Sequence, residues 1–245
     1  MEYKRLIIIG DSHARGDGAE WPGIYGHLGP IPNEYRANNW KLKIKTAKPN
    51  EFPKLHQEFY GAMYEKLLKN SEEVIKLRKT QSWGAHLVKL IPNCTLENYS
   101  TKDSDIEGVL PFFASNCEDM DLRDSIVILG VGNSNANITF RQNGTKLKNI
   151  SITHIAQSIM LIKEFVENRG GRLVIIHPEE FPESLYDAEL NPYWIDLRPL
   201  LLHEGNFESM LGTSLYWRRF DGRHYDAGVQ KVLGQNIFNL VADMH

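Results

Sequence analysis

The chain has only two cysteines, Cys94 and Cys117, among 245 residues. Two cannot form a disulfide framework, so free thiols in a reducing compartment are the expectation. Charge of one sign is also scarce. Twenty-eight Lys and Arg face 31 Asp and Glu, a net −3, and no Lys/Arg block marks a nucleic-acid footprint. Residues 41–48 (KLKIKTAK) carry four lysines, which a solvated loop or edge strand accounts for. A long apolar leader is missing too. Met1–Arg5 leads into four apolar residues, too few for a signal-peptide core or a bilayer span. No internal repeat, low-complexity tract or domain linker interrupts the sequence. The expectation is a soluble cytoplasmic protein forming one domain over 1–245, with no nucleic-acid or membrane partner. Oligomeric state is not legible.

What the chain has is an ordinary globular composition, 42% hydrophobic and 24% charged, and length enough for a large core. Its organising stretch is Leu6-Ile7-Ile8-Ile9 running into Gly10-Asp11-Ser12-His13. A short unbroken apolar run reads as a strand buried on both faces, as in a parallel sheet. Ligands in such sheets bind beyond the carboxyl ends of the strands, where Ser12 falls.

Residues 17–53 are rich in Gly, Pro, Asn and Trp and show no sustained period. Leu55 to Ile75 shows broken helical spacing, and Ser71-Glu72-Glu73-Val74 reads as the start of a second helix. Residues 17–80 are therefore expected to be a helical and loop insertion, or a lid, after the first strand.

Residues 82–90 read as a short helix ended by Pro92. Residues 94–98 read as a second strand, with 99–108 as its polar exit loop. Residues 125–129 (SIVIL) form a third strand opening into Gly130-Val131-Gly132-Asn133. A helix is expected over 149–168, a fourth strand over 172–176, a last strand at 200–202, and a final helix over 227–242. Alternating strands and helices argue for an α/β fold with a parallel sheet.

Three polar clusters then matter: Gly10-Asp11-Ser12, Gly130-Val131-Gly132-Asn133 and Asp221-Gly222-Arg223-His224. Acyl transfer needs a hydroxyl, a base and an acid that fixes the base's tautomer. Asp221 and His224, three apart, suit a carboxylate accepting from imidazole Nδ1–H and leaving Nε2 free for Ser12. Candidate oxyanion donors are the Ser12 backbone N–H, an amide in the 99–105 loop and the Asn133 side chain. Each residue also has a plainer role. Ser12 could cap the helix that follows it. Asn133 could serve a turn, and Asp221-Gly222 is itself a turn signal.

The blocks IIIGDSHARG at 7–16, SW…NYSTKDSD within 82–105, VILGVGNS at 127–134 and DGRHYDAGVQKVLGQNI at 221–237 together resemble the SGNH (GDSL-type) hydrolase family. The resemblance covers nearly the whole chain outside 17–80. It implies a three-layer α/β/α, flavodoxin-like sheet. It also implies Ser12 as nucleophile, His224 as base, Asp221 as its orienter, and Asn133 as an oxyanion donor. The family's second block offers a glycine amide, whereas this chain has Lys102-Asp103-Ser104 there, so the Asp103 amide is the expected donor. The third block is one residue longer than the family's G-x-N-D, which keeps Asn135 as a second donor candidate. The expected activity is a serine esterase acting on small acyl esters, such as O-acetyl groups on carbohydrate, without metal or organic cofactor.

Two other classes stand beside it. Asp11-Ser12-His13 is also a D-x-H metal pattern, faintly like a metallophosphoesterase, though G-D-x-x-D and G-H-x-H partners are lacking. The other is a degenerate domain of this family that binds a ligand without turning it over.

Overall fold

The computed structural model describes residues 3–20, 51, 54, 57–58, 71–101, 106–117, 119–130, 152–177, 194–196 and 227–243. These form β1 (Arg5–Gly10), α1 (Ser12–Arg15), α2 (Glu72–Gln81), α3 (Trp83–Val88), β2 (Thr95–Asn98), α4 (Ile106–Cys117), β3 (Ser125–Gly130), α5 (Ile152–Glu167), β4 (Arg172–His177), β5 (Trp194–Asp196) and α6 (Ala227–Asp243). The chain divides into two compact units. One comprises Met1–Arg15, Val88–Arg198 and Asn239–His245; the other comprises Gly16–Leu87 and Pro199–Phe238.

The first unit holds a five-stranded sheet in the order β2-β1-β3-β4-β5. Every pairing is parallel. The expected mixed α/β fold with a parallel sheet is therefore present. β1 is an interior strand, paired on both sides, and its apolar run Leu6–Ile9 suits burial on both faces. Leu6, Ile7, Ile8 and Ile9 are all inaccessible to solvent. The order of strand addition reverses around it: β2 lies on one side, β3 to β5 on the other. The carboxyl ends of β1 and β3 thus flank a topological switch point, where sheets of this order bind ligands.

Pleating sends alternate residues to opposite faces. One face presents Ile7 and Ile9 beside Val127 and Leu129, and those beside Leu173 and Ile175. These six pack in a single cluster with Ile106, Val109, Phe113 and Cys117 of α4 and Ile159, Ile162 and Val166 of α5. Phe113 and Phe165 meet edge to face at 5.4 Å between ring centroids. Leu6, Ile8, Ile126, Ile128 and Val174 of the opposite face are equally buried.

The structure corrects one boundary. The exit loop read over 99–108 gives way to α4, which begins at Ile106. The fifth strand is Trp194–Asp196; the expected strand at 200–202 lies outside the described residues.

The second unit contains α2, α3 up to Leu87 and α6 up to Phe238. Ser71 caps α2, its side chain accepting from Val74 N–H, with Glu72 and Glu73 in the first turn and Arg78 and Lys79 in the last. Ser82 then caps α3, its Oγ accepting from Ala85 N–H at 3.2 Å. α6 packs on α3 so closely that a Cβ at Gly234 would lie 2.6 Å from the Trp83 carbonyl oxygen.

Within this unit, the described ends of the 17–80 insertion are joined by buried polar groups. Arg78 Nη2 donates to Glu20 Oε1 at 3.0 Å and its Nε to Glu20 Oε2 at 3.3 Å. Arg78 Nε also lies 3.6 Å from Asp17 Oδ1. Burial works against the guanidinium's charge. The Glu20 hydrogen bond and the Glu20 and Asp17 carboxylates outweigh it and raise its pKa above the usual arginine value. Gln230 of α6, fully buried, accepts from Trp83 N–H at 2.9 Å and donates to the Asp17 carbonyl at 3.3 Å. The rest of the insertion, apart from residues 51, 54 and 57–58, lies outside the described residues.

Candidate active site at the carboxyl edge of the sheet

The site candidate is the turn from β1 into α1. β1 ends at Gly10 with φ +143°, a conformation that L side chains rarely adopt. Its register partner is Gly130, the last residue of β3. Asp11 N–H donates to the Gly130 carbonyl at 3.2 Å, so the turn stays tied to β3 one residue beyond the strand. A Cβ on Gly130 would come within 2.9 Å of the Ala14 methyl, which is how closely α1 approaches.

Asp11 is fully buried. Its Oδ1 accepts from His13 N–H at 2.9 Å and Ala14 N–H at 3.4 Å, while its carbonyl accepts from Arg15 N–H at 2.9 Å. That is the hydrogen-bonding of an N-cap. The capping role open to Ser12 in the sequence is thus filled by Asp11. Ser12 is the first residue inside the helix, only 6% exposed.

The other side of the turn is built by β2. The ladder continues past it, with Tyr99 N–H on the Ile8 carbonyl at 2.8 Å and Thr101 N–H on the Gly10 carbonyl at 2.9 Å. Asn98 folds back on both partners. Its Oδ1 accepts from Ser100 N–H at 3.0 Å and its Nδ2 donates to the Ala14 carbonyl at 3.3 Å. Asn98 thereby fixes α1 against the exit of β2. Sequence reasoning did not single it out, although an Asn at the end of a strand is an Asx-turn signal.

Tyr99 points the other way. Its ring packs on Phe113 at 5.9 Å, and its hydroxyl donates to Glu97 Oε2 at 2.9 Å. Burial, then the bond to the Glu97 carboxylate, pushes its pKa well above the usual phenol value. Cys94 and Cys117 are both free thiols. Burial raises the pKa of each, so neither is predisposed to be a thiolate.

The remaining residues expected at the site are Asp103, Asn133, Asn135, Asp221 and His224. All lie outside the described residues. Asn133 follows β3 by three positions, and His224 precedes α6 by three. Among the described residues there is no group of three or more His, Cys, Asp or Glu able to hold a metal ion. No described helix is long and apolar enough to cross a membrane.

No protein-family model matches the chain, and no curated protein matches it. Among solved structures it is similar to one described as "a putative arylesterase from Agrobacterium tumefaciens str. C58". The likeness spans 99% of this chain and 100% of that one, with a TM-score of 0.46 and 14% identical residues.

Proposed function

We propose that the chain is a serine esterase of the SGNH type, with helices on both faces of its parallel sheet and Ser12 as nucleophile. The observation that carries the reading is the division of labour at the β1–α1 turn. Asp11 caps the helix, and Ser12 stands next to it at the carboxyl edge of β1, beside the end of β3. The order of Ser12, Asn133, Asp221 and His224 along the chain supplies the rest.

In this mechanism Ser12 Oγ attacks the ester carbonyl carbon as His224 Nε2 takes its proton. Asp221 accepts from His224 Nδ1–H and holds the tautomer. The oxyanion is stabilised by the Ser12 and Asp103 amides and the Asn133 side chain; losing one such donor typically costs about 3–4 kcal/mol. His224 returns the proton to the departing alcohol, which leaves an acyl ester on Ser12. Water, deprotonated by His224, then releases the acid and regenerates the hydroxyl. No step requires a metal or organic cofactor. Small acyl esters, with O-acetyl groups on carbohydrate as the first class to try, are the proposed substrates.

A fluorophosphonate probe tests the reading. The protein should be labelled on Ser12, identified by peptide mass, and His224→Ala should slow labelling by about a hundredfold or more. Absence of labelling would reject the esterase and favour a domain that binds its ligand without turnover.

A further inference from the structure

We propose that the Ser100 hydroxyl is a substrate-binding donor of the Ser12 site, reserved for an oxygen of the bound ester; the inference rests on the esterase reading above. Ser100 is 8% exposed. Its Oγ is shielded from solvent and has no hydrogen-bond partner among the described residues. A buried hydroxyl without a partner is costly, and a folded chain rarely tolerates one without a use.

The backbone shows where the hydroxyl lies. β2 pairs with β1 so that Asn98 stands beside Ile8. The ladder runs on through Tyr99 N–H to the Ile8 carbonyl and Thr101 N–H to the Gly10 carbonyl. Ser100 is therefore beside Gly10, two residues from Ser12. Side chains alternate along an extended segment. Asn98 reaches α1 at the Ala14 carbonyl, whereas Tyr99 packs on Phe113 of α4. Ser100 shares the parity of Asn98, so its hydroxyl lies on the α1 face, at the sheet edge that carries Ser12. Asn98 Oδ1 accepts from the Ser100 backbone N–H rather than from its hydroxyl. Ser12 is buried to a similar degree.

The test is Ser100→Ala, measured beside wild type and Ser12→Ala, for hydrolysis of a short-chain nitrophenyl ester and for thermal unfolding. The proposal expects kcat/KM to fall about tenfold in Ser100→Ala, one hydrogen bond's worth. The unfolding temperature should hold or rise, because a polar group without a partner has been removed. Ester turnover that Ser12→Ala abolishes and Ser100→Ala leaves within twofold would overturn the Ser100 role and leave the esterase standing. A lower unfolding temperature with unchanged kcat/KM would overturn it in favour of a structural hydroxyl, bonded to buried water. Turnover indifferent to Ser12→Ala would overturn both.

Discussion

Gly10 and Gly130 face each other so closely that a Cβ on Gly10 would lie 2.1 Å from the Gly130 carbonyl oxygen. The obstacle is backbone, held by the β1–β3 ladder, so it cannot swing aside. Gly10 also has φ +143°. Gly10→Ala should therefore cost about 3 kcal/mol or more, from steric overlap and backbone strain together. Urea unfolding checks this. A loss below about 1 kcal/mol would mean that the turn relaxes without harm.

The capping assignment separates two adjacent residues. Asp11→Ala removes the acceptor of the His13 and Ala14 amides and should cost about 1–2 kcal/mol. Ser12→Ala should cost less than half as much. Equilibrium unfolding of both variants decides the point; the reverse ranking would hand the cap to Ser12.

In the second unit, Arg78 faces two carboxylates whose side chains are 1% exposed at Glu20 and 5% at Asp17, while its own is 20% exposed. Arg78→Met leaves both acids buried without this cation and should cost about 3 kcal/mol, the low end for breaking a buried pair because the guanidinium is partly solvated. Adding Glu20→Gln should recover about 1 kcal/mol or more, since one uncompensated charge is gone. Additive losses in the double variant would contradict the coupling.

Tyr99 predicts an alkaline limb. Its folded pKa is raised above the ordinary 10.0, first by burial and then by the Glu97 carboxylate that its hydroxyl meets. The stability linked to it is complete below pH 10.0 and is lost as pH rises from there toward the folded value, because the unfolded phenol ionises first. Unfolding temperature should fall steeply above about pH 10 in wild type and more gently in Tyr99→Phe. Identical slopes would contradict this.

The parts of the fold legible in the sequence are those where burial is uniform. Leu6–Ile9, Ile126–Leu129 and Leu173–Ile176 are continuous apolar runs because both faces of β1, β3 and β4 are covered. α2 was legible from the Ser71 cap, and α5 from its spacing of three and four. α4 was missed because its start is embedded in polar sequence and Pro111 sits inside it, although Ile106, Val109, Phe113 and Cys117 recur at helical spacing. β5 has only three residues and leaves no periodic signal. At the site, Gly10-Asp11-Ser12 was legible as a strand-to-helix turn. Which of Asp11 and Ser12 caps the helix was not, because both are good caps and only the geometry of the Gly10 turn chooses between them. Asn98 to Ala14 and Arg78 to Glu20 span 84 and 58 positions, and no local pattern announces a pair so far apart.

The central claim is that the Ser12 hydroxyl carries out acyl transfer, and the direct measurement is turnover of a short-chain nitrophenyl ester by wild type and Ser12→Ala. The account predicts hydrolysis by wild type and a fall of at least about a thousandfold in kcat for Ser12→Ala, with the fold intact by circular dichroism. Equal rates in the two folded proteins would contradict it.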